Sequence, residues 1–360
     1  VQTAAITEDT SPYSYFTDAL IEDVIQDLME EKGYSETQAY NQLYSGGLTI
    51  KSTQDTYIQQ ICDQVVADES NYPIVEYGVE YALTIHRADG TVENYSKENL
   101  GSYLRNAHND SNPLVFSSED AVYASIEEYK STLGINTEAG DIVDENLHIT
   151  LQPQTSVVVM DQRTGQVKAI VGGRGAKTTS RSLNRATDSP RQPGSCFKIV
   201  STYAPALNEC GMTLASTITD EPYSYANGKE VNNWDGKYIG DTTVRYAILH
   251  SMNVCAVRTL TEVVTPAKGY QYLQKFGFTT LVNDDPNYPG MSDIAQATAL
   301  GGITRGVYNL EMTAAYASIA NGGVYTEPVL YTQILDHDGN VMIDKTTPET
   351  HEVIKESTAY

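Results

Sequence analysis

Residues 156–171 hold the pattern that most restricts the fold. Ser156-Val157-Val158-Val159-Met160-Asp161 and Gln166-Val167-Lys168-Ala169-Ile170-Val171 flank a turn at Arg163-Thr164-Gly165. Two β-branched runs joined by so short a turn predict an antiparallel hairpin. Continuous apolar runs also predict strands covered on both faces, so helices must pack against this hairpin. Similar strand patterns recur near the end, at Val324-Tyr325, Leu330 to Asp336 and Val341 to Asp344, the last two joined by Asp338-Gly339-Asn340. Helical patterns with glycine-rich joins lie between. The expected fold class is α+β, a central antiparallel sheet flanked by helices.

Upstream, Phe16, Ala19, Leu20, Val24, Ile25 and Leu28 recur at helical spacing until Gly33, and a second helix is expected from Glu36 to Tyr44. Leu48 to Thr53 alternates like a strand, and Asp55 is placed to cap a helix carrying Ile58, Ile61, Val65 and Val66. From about Asn71 the texture changes. A hairpin is expected around Ala88-Asp89-Gly90, followed by helical patches at Glu98 to Ala107 and Glu119 to Thr132. The expected organisation is a helical segment at 1–45, a strand and helix at 46–70, a small α+β insert at 71–150, and the main domain at 151–360.

A chain of 360 residues has room for two cores. Its formal charge of −24 repels nucleic acid and anionic lipid, so nucleic-acid binding is disfavoured. The cysteines, Cys62, Cys196, Cys210 and Cys255, show no C-x-x-C spacing, and the histidines show no ligand pairing. Free thiols are expected, and neither a metal nor a cofactor is called for. No apolar run of about 18 residues and no signal peptide appears. The opening Val1-Gln2-Thr3 and an ending at Ser357 to Tyr360 that reads as mid-helix suit a piece of a longer protein.

The chemistry concentrates in Arg191-Gln192-Pro193-Gly194-Ser195-Cys196-Phe197-Lys198. Pro193 and Gly194 interrupt what precedes, and Ile199, Val200, Tyr203, Ala206 and Leu207 follow on one helical face, which places Ser195 at a helix start. Lys198 then projects from the same side. A hydroxyl needs an adjacent base, and a lysine serves when burial lowers its pKa. Ser-x-x-Lys is by itself a capping serine and a surface lysine in most proteins, but Ser195 is the one serine here with lysine three residues on. Cys196 is expected to be a small packing residue. Further along, Ser251 and Asn253 follow a helical pattern capped by Thr243, so they fall at its C-terminal end or in the next turn. Ser182-Leu183-Asn184 has the same Ser-x-Asn form but precedes Ser195. His250 has no carboxylate partner in view and reads as structural or surface-exposed.

Taken together, these residues resemble class A penicillin-binding proteins, whose superfamily carries Ser-x-x-Lys, a Ser-x-Asn-type element and Lys-Thr-Gly. Gly46-Gly47-Leu48-Thr49-Ile50, Gln152-Pro153-Gln154, Asn184-Arg185-Ala186-Thr187, Trp234-Asp235-Gly236-Lys237-Tyr238-Ile239-Gly240, Leu300 to Gly306 and Ala314 to Tyr325 extend the resemblance. It implies the penicillin-binding/serine β-lactamase-like transpeptidase fold and a two-step acyl transfer. Ser195 would attack D-Ala-D-Ala stem peptides, Lys198 would take its proton, Ser251 would relay a proton to the leaving D-alanine, and Asn253 would bind the peptide amide. Backbone amides of Ser195 and of a strand would form the oxyanion hole.

The implied partners are peptidoglycan stem peptides and β-lactams, with no cofactor and no metal. The implied place is the outer side of the bacterial cytoplasmic membrane, held by an anchor preceding this chain. Two features depart from the family. No Lys-Thr-Gly or Lys-Ser-Gly occurs, since Lys345-Thr346-Thr347 lacks the glycine, and the expectation is that the chain stops before that strand. The upstream glycosyltransferase domain is also missing, and 1–45 resembles only the linker that leaves it. A D,D-carboxypeptidase, a serine β-lactamase or a non-catalytic β-lactam or cell-wall binding module are the alternatives.

Overall fold

A computed structural model describes residues 12–360, so the opening tripeptide and the first part of the 1–45 segment lie outside the described residues. The chain divides into two compact units. The larger holds residues up to Cys62, Ser156–Gly172 and Lys177–Tyr360; the smaller holds Asp63–Thr155 and Gly173–Ala176.

In the larger unit the hairpin forms as expected. Val157–Met160 pairs antiparallel with Val167–Val171, with Val157 opposite Val171. Gly165 closes the turn at φ +73°, where a Cβ would stand 2.3 Å from the Glu327 carbonyl oxygen. Only glycine fits there. Val167, Ala169, Ile170 and Val171 are fully covered, whereas Val157–Met160 is half-buried. A second ladder runs Thr49–Ser52 against Tyr331–Leu335 and the latter against Val341–Asp344. The strands pair antiparallel in separate ladders, and a parallel bridge between Gln166 and Val329 lies between them. Bulges at Lys51/Ser52 and Ile334/Leu335 shift the register. The gap is closed by Thr53, whose hydroxyl donates to both the Val167 (2.7 Å) and Val329 (3.1 Å) carbonyls.

The Tyr15–Lys32 helix covers one side of these strands. Ser14 caps it through Thr17 N (3.0 Å), and Gly33 at φ +69° ends it. Phe16 and Ala19 pack on Val167, Ile170 and Leu330; Val24, Ile25 and Leu28 pack on Tyr331, Ile334 and Ile343. Truncating a fully buried aromatic such as Phe16 to alanine costs about 3–5 kcal/mol. Asp27 on the same helix is compensated by Lys345 (2.5 Å) and by the Tyr331 hydroxyl.

A group of short helices builds the rest of the unit around apolar clusters, two of which support the candidate residues. One gathers Phe197, Val200, Leu273, Phe276, Ile303 and Val307. The other gathers Tyr203, Ile218, Val244, Ala247, Met252 and Cys255. The segment leading into Lys198 and the turn holding Ser251 are thereby both fixed from beneath.

The smaller unit is a sheet with helices on one face. Glu76–His86 pairs with Val92–Ser96 on one side and along its whole length with Ile142–Gln152 on the other. Val79, Tyr81, Leu83 and Ile85 alternate inward under the Lys97–His108 and Glu119–Ser131 helices. Strand Ile142–Gln152 carries no clear signal in the sequence. Its inward alternation is broken at Glu145, whose carboxylate is satisfied by the Tyr81 hydroxyl and Lys130 (both 3.1 Å).

Candidate active site

The approach to Ser195 is clamped against a glycine-rich loop. Arg191 and Val307 exchange both backbone hydrogen bonds (3.0 and 2.9 Å), and Gln192 Nε2 donates to the Ile303 carbonyl (3.0 Å). Gly306 at φ +84° would put a Cβ 2.3 Å from the Arg191 carbonyl carbon, and Gly301 at φ +74° one 2.4 Å from Gly194 N. The backbones approach so closely that no side chain fits between them.

The helix expected after Ser195 changes pitch instead of running regularly. Gly194–Cys196 is a 3-10 turn, Lys198–Tyr203 is π-helical, and Ala204–Asn208 is α-helical. Pro205 lacks the N–H that would bond the Ser201 carbonyl, and the Ser201 hydroxyl bonds the Phe197 carbonyl (2.7 Å). Ser195 lies within the 3-10 turn, and Lys198 opens the π-helical segment that follows it.

Ser195 is exposed and its hydroxyl has no hydrogen-bond partner among the described residues. Lys198, by contrast, is 3% exposed. Its Nζ donates to the Ser251 carbonyl (2.5 Å), Ser251 Oγ (3.0 Å) and Asn253 Oδ1 (2.6 Å). Every acceptor is neutral. Burial therefore dominates, and it pushes the Lys198 amine down to about 8.

Ser251 and Asn253 stand where the spacing put them. Thr243 caps the Val244–Leu249 helix through Tyr246 N (3.2 Å), a turn follows, and Asn253 opens the Asn253–Arg258 helix. Ser251 sits at φ +50°, a left-handed conformation costly for a residue with a Cβ. Asn253 Nδ2 donates to the Asn232 carbonyl (2.8 Å), which aims its Oδ1 at Lys198. Among the predicted site residues the structure thus joins Lys198, Ser251 and Asn253 directly; Ser195 is tied to them through the turn.

The other candidates lie outside this cluster. His250 is exposed and stacks on Tyr246, ring centroids 4.0 Å apart. Asn184 of the second Ser-x-Asn holds a turn, accepting from Ala186 N (3.1 Å) and donating to the Tyr15 carbonyl (3.3 Å). Lys345 is engaged by Asp27.

Cys196 corrects an expectation: it is exposed rather than packed, because the 3-10 turn carries it outward. Tyr316 was not anticipated in a role; its hydroxyl donates to the Cys196 carbonyl (2.8 Å), steadying the turn. The sequence marked Ala314 to Tyr325 and Leu300 to Gly306 only as familiar stretches, and their proximity to Ser195 is the tertiary fact that explains them.

Comparison with known proteins gives the family and the fold. Residues 155–360 match the penicillin binding protein transpeptidase domain. Penicillin-binding protein 1A of Clostridium acetobutylicum is 35% identical over 277 residues, 74% of this chain and 32% of that protein. Penicillin-binding protein 1A of Clostridium tetani is 28% identical over 339 residues, 92% of this chain and 34% of that protein. The chain spans about a third of the length of these curated relatives. The structure of PonA1 from Mycobacterium tuberculosis in complex with penicillin V shares the fold, with a TM-score of 0.61 at 17% identity over 97% of this chain and 69% of that one. The domain match covers more than half of the chain and every residue around the Lys198 amine, and the chain belongs to the penicillin-binding protein transpeptidase family, with the class A proteins.

Proposed function

We propose that this chain carries a D,D-transpeptidase site in which Ser195 is the nucleophile, Lys198 its base and Ser251 the proton relay. The observation that carries the reading is the setting of Lys198, a buried amine ringed by neutral acceptors from Ser251 and Asn253. An ammonium has three N–H donors and fills all three acceptors; the free amine has two and a lone pair. The Ser251 carbonyl and Asn253 Oδ1 can only accept, whereas the Ser251 hydroxyl can also donate. Deprotonating Lys198 therefore reverses one bond, and Ser251 Oγ–H points at the amine.

The reaction follows from that geometry. Ser195 Oγ attacks the carbonyl carbon between the two terminal D-alanines of a stem peptide, and its proton passes to Lys198. The backbone amide of Ser195 faces the developing oxyanion. As the C–N bond breaks, Lys198 returns a proton through Ser251 to the departing D-alanine nitrogen, leaving an ester on Ser195. An amine from a second stem peptide attacks that ester, forming the cross-link and restoring the serine hydroxyl. A β-lactam would enter the same first step and stop at the ester. The free Ser195 hydroxyl suits this, because catalytic hydrogen bonds often form only when substrate arrives. Such a substrate places the site on the outer side of the bacterial membrane. No helix of the described residues is long and apolar enough to span one.

The test is incubation with penicillin followed over time. A long-lived adduct supports the transpeptidase; rapid release of hydrolysed drug would identify a β-lactamase, and D-alanine release without cross-linked product from a stem peptide and an amine acceptor would identify a carboxypeptidase. Absence of any adduct would leave a non-catalytic module.

A further inference from the structure

We infer that Asn233 is a positioning residue for this acyl transfer: it sets the turn bearing Ser251 and Asn253, and through that turn the acceptors around Lys198. The inference rests on the transpeptidase reading. Neither the Ser-x-x-Lys nor the Ser-x-Asn pattern includes this residue.

The Asn253–Arg258 helix begins after Met252, whose side chain makes no capping hydrogen bond. Its first N–H groups have no partner within the helix and need one from elsewhere. Asn233 provides it. Its Oδ1 accepts from Asn253 N (2.9 Å) and Val254 N (3.2 Å). Its Nδ2 donates to Asp220 Oδ1 (2.8 Å) and the Lys237 carbonyl (2.9 Å). Every valence of the carboxamide is used, and a flipped amide would set donors against donors. Asp220 is itself fully buried and pinned by Ile239 N on its other oxygen (3.0 Å). The neighbouring Asn232 carbonyl takes Asn253 Nδ2 (2.8 Å), so one dipeptide holds both the backbone and the side chain of Asn253.

The consequence reaches Lys198 through strain. Ser251 at φ +50° holds a conformation that persists only where its surroundings over-determine it. Asn233 anchors the C-terminal side of that residue. Without it, Ser251 is free to relax, withdrawing its carbonyl and hydroxyl from Lys198 Nζ, and Asn253 Oδ1 loses its aim. Those acceptors favour the charged amine against burial, so their loss lowers its proton affinity further.

The experiment measures acylation by a fluorescent penicillin from about pH 6 to 10 beside an NMR titration of the Lys198 side chain. Asn233→Ala should acylate about 10- to 100-fold more slowly, with the rate inflection and the Lys198 titration both moved to lower pH. Asn233→Asp should also be slow, because its carboxylate then faces Asp220 and the Lys237 carbonyl, and Asp220→Asn with Asn233→Asp should recover part of the rate by restoring the donor–acceptor pair at residue 220. A folded Asn233→Ala protein with unchanged rate and titration overturns the inference. If that variant does not fold, a double variant no faster than Asn233→Asp does so. Should the unaltered chain form no adduct on Ser195, the transpeptidase reading falls, while the Lys198 titration still decides the role of Asn233.

Discussion

Lys198 Nζ lies 3.0 Å from Ser251 Oγ and 2.5 Å from the carbonyl oxygen of the same serine. One residue thus supplies two of the amine's three acceptors, and it can do so because its backbone is left-handed. The hydroxyl and the conformation are separable. Ser251→Ala and Ser251→Gly should both slow acylation strongly, but the glycine variant should be more stable than the alanine variant by about 1 kcal/mol in denaturant unfolding. Equal stability would mean the turn carries no strain.

Burial holds the Lys198 amine near 8, and a base must be unprotonated to accept the Ser195 proton. The acylation rate should therefore rise with pH and level off above an inflection near 8. Stopped-flow acylation by a chromogenic β-lactam checks this, and a rate flat from pH 6 to 10 would remove Lys198 as the base.

Gly301 lets the loop before Val307 lie against Gly194. A Cβ at Gly301 would stand 2.4 Å from Gly194 N, and the φ of +74° is itself unfavourable for alanine. Gly301→Ala should lower stability by about 1–3 kcal/mol and slow acylation, since the displaced backbone is adjacent to Ser195. Thermal unfolding and penicillin labelling report the two effects separately.

Asp23 on the Tyr15–Lys32 helix is pushed up to about 6, first by burial and further by Asp27 and Glu327, against the opposing pull of Lys345. A carboxyl raised above its unfolded value of 3.8 stabilises the fold through its protonated form, fully below that value and progressively less as pH rises through 6. Asp23→Asn imitates the protonated form. It should raise Tm at pH 8, with the gain shrinking as pH falls and gone near pH 4. A gain independent of pH would trace instead to packing.

Local signals were readable where partners are close in sequence. Thr243 and Asp55 cap the helices they precede, and Asp55 does so through Tyr57 N and Ile58 N (3.0 and 3.1 Å). Ser195, Lys198, Ser251 and Asn253 were legible as motifs, and the fold class followed from the apolar hairpin. What escaped depends on distant partners. Glu145 breaks the alternation of its strand because Tyr81, 64 residues away, satisfies it. The change of pitch after Ser195 follows from Pro205 and Ser201 acting together. Asn233 resembles any loop asparagine, since apart from the nearby Lys237 carbonyl the groups it holds lie 13 to 21 residues away.

The central claim is that Ser195, and not the exposed thiol beside it, takes the acyl group. Mass spectrometry of the peptide spanning Ser195 and Cys196 after reaction with penicillin decides it. The adduct should sit on Ser195, vanish in Ser195→Ala and persist in Cys196→Ala; an adduct on Cys196, or labelling that survives Ser195→Ala, would contradict the assignment.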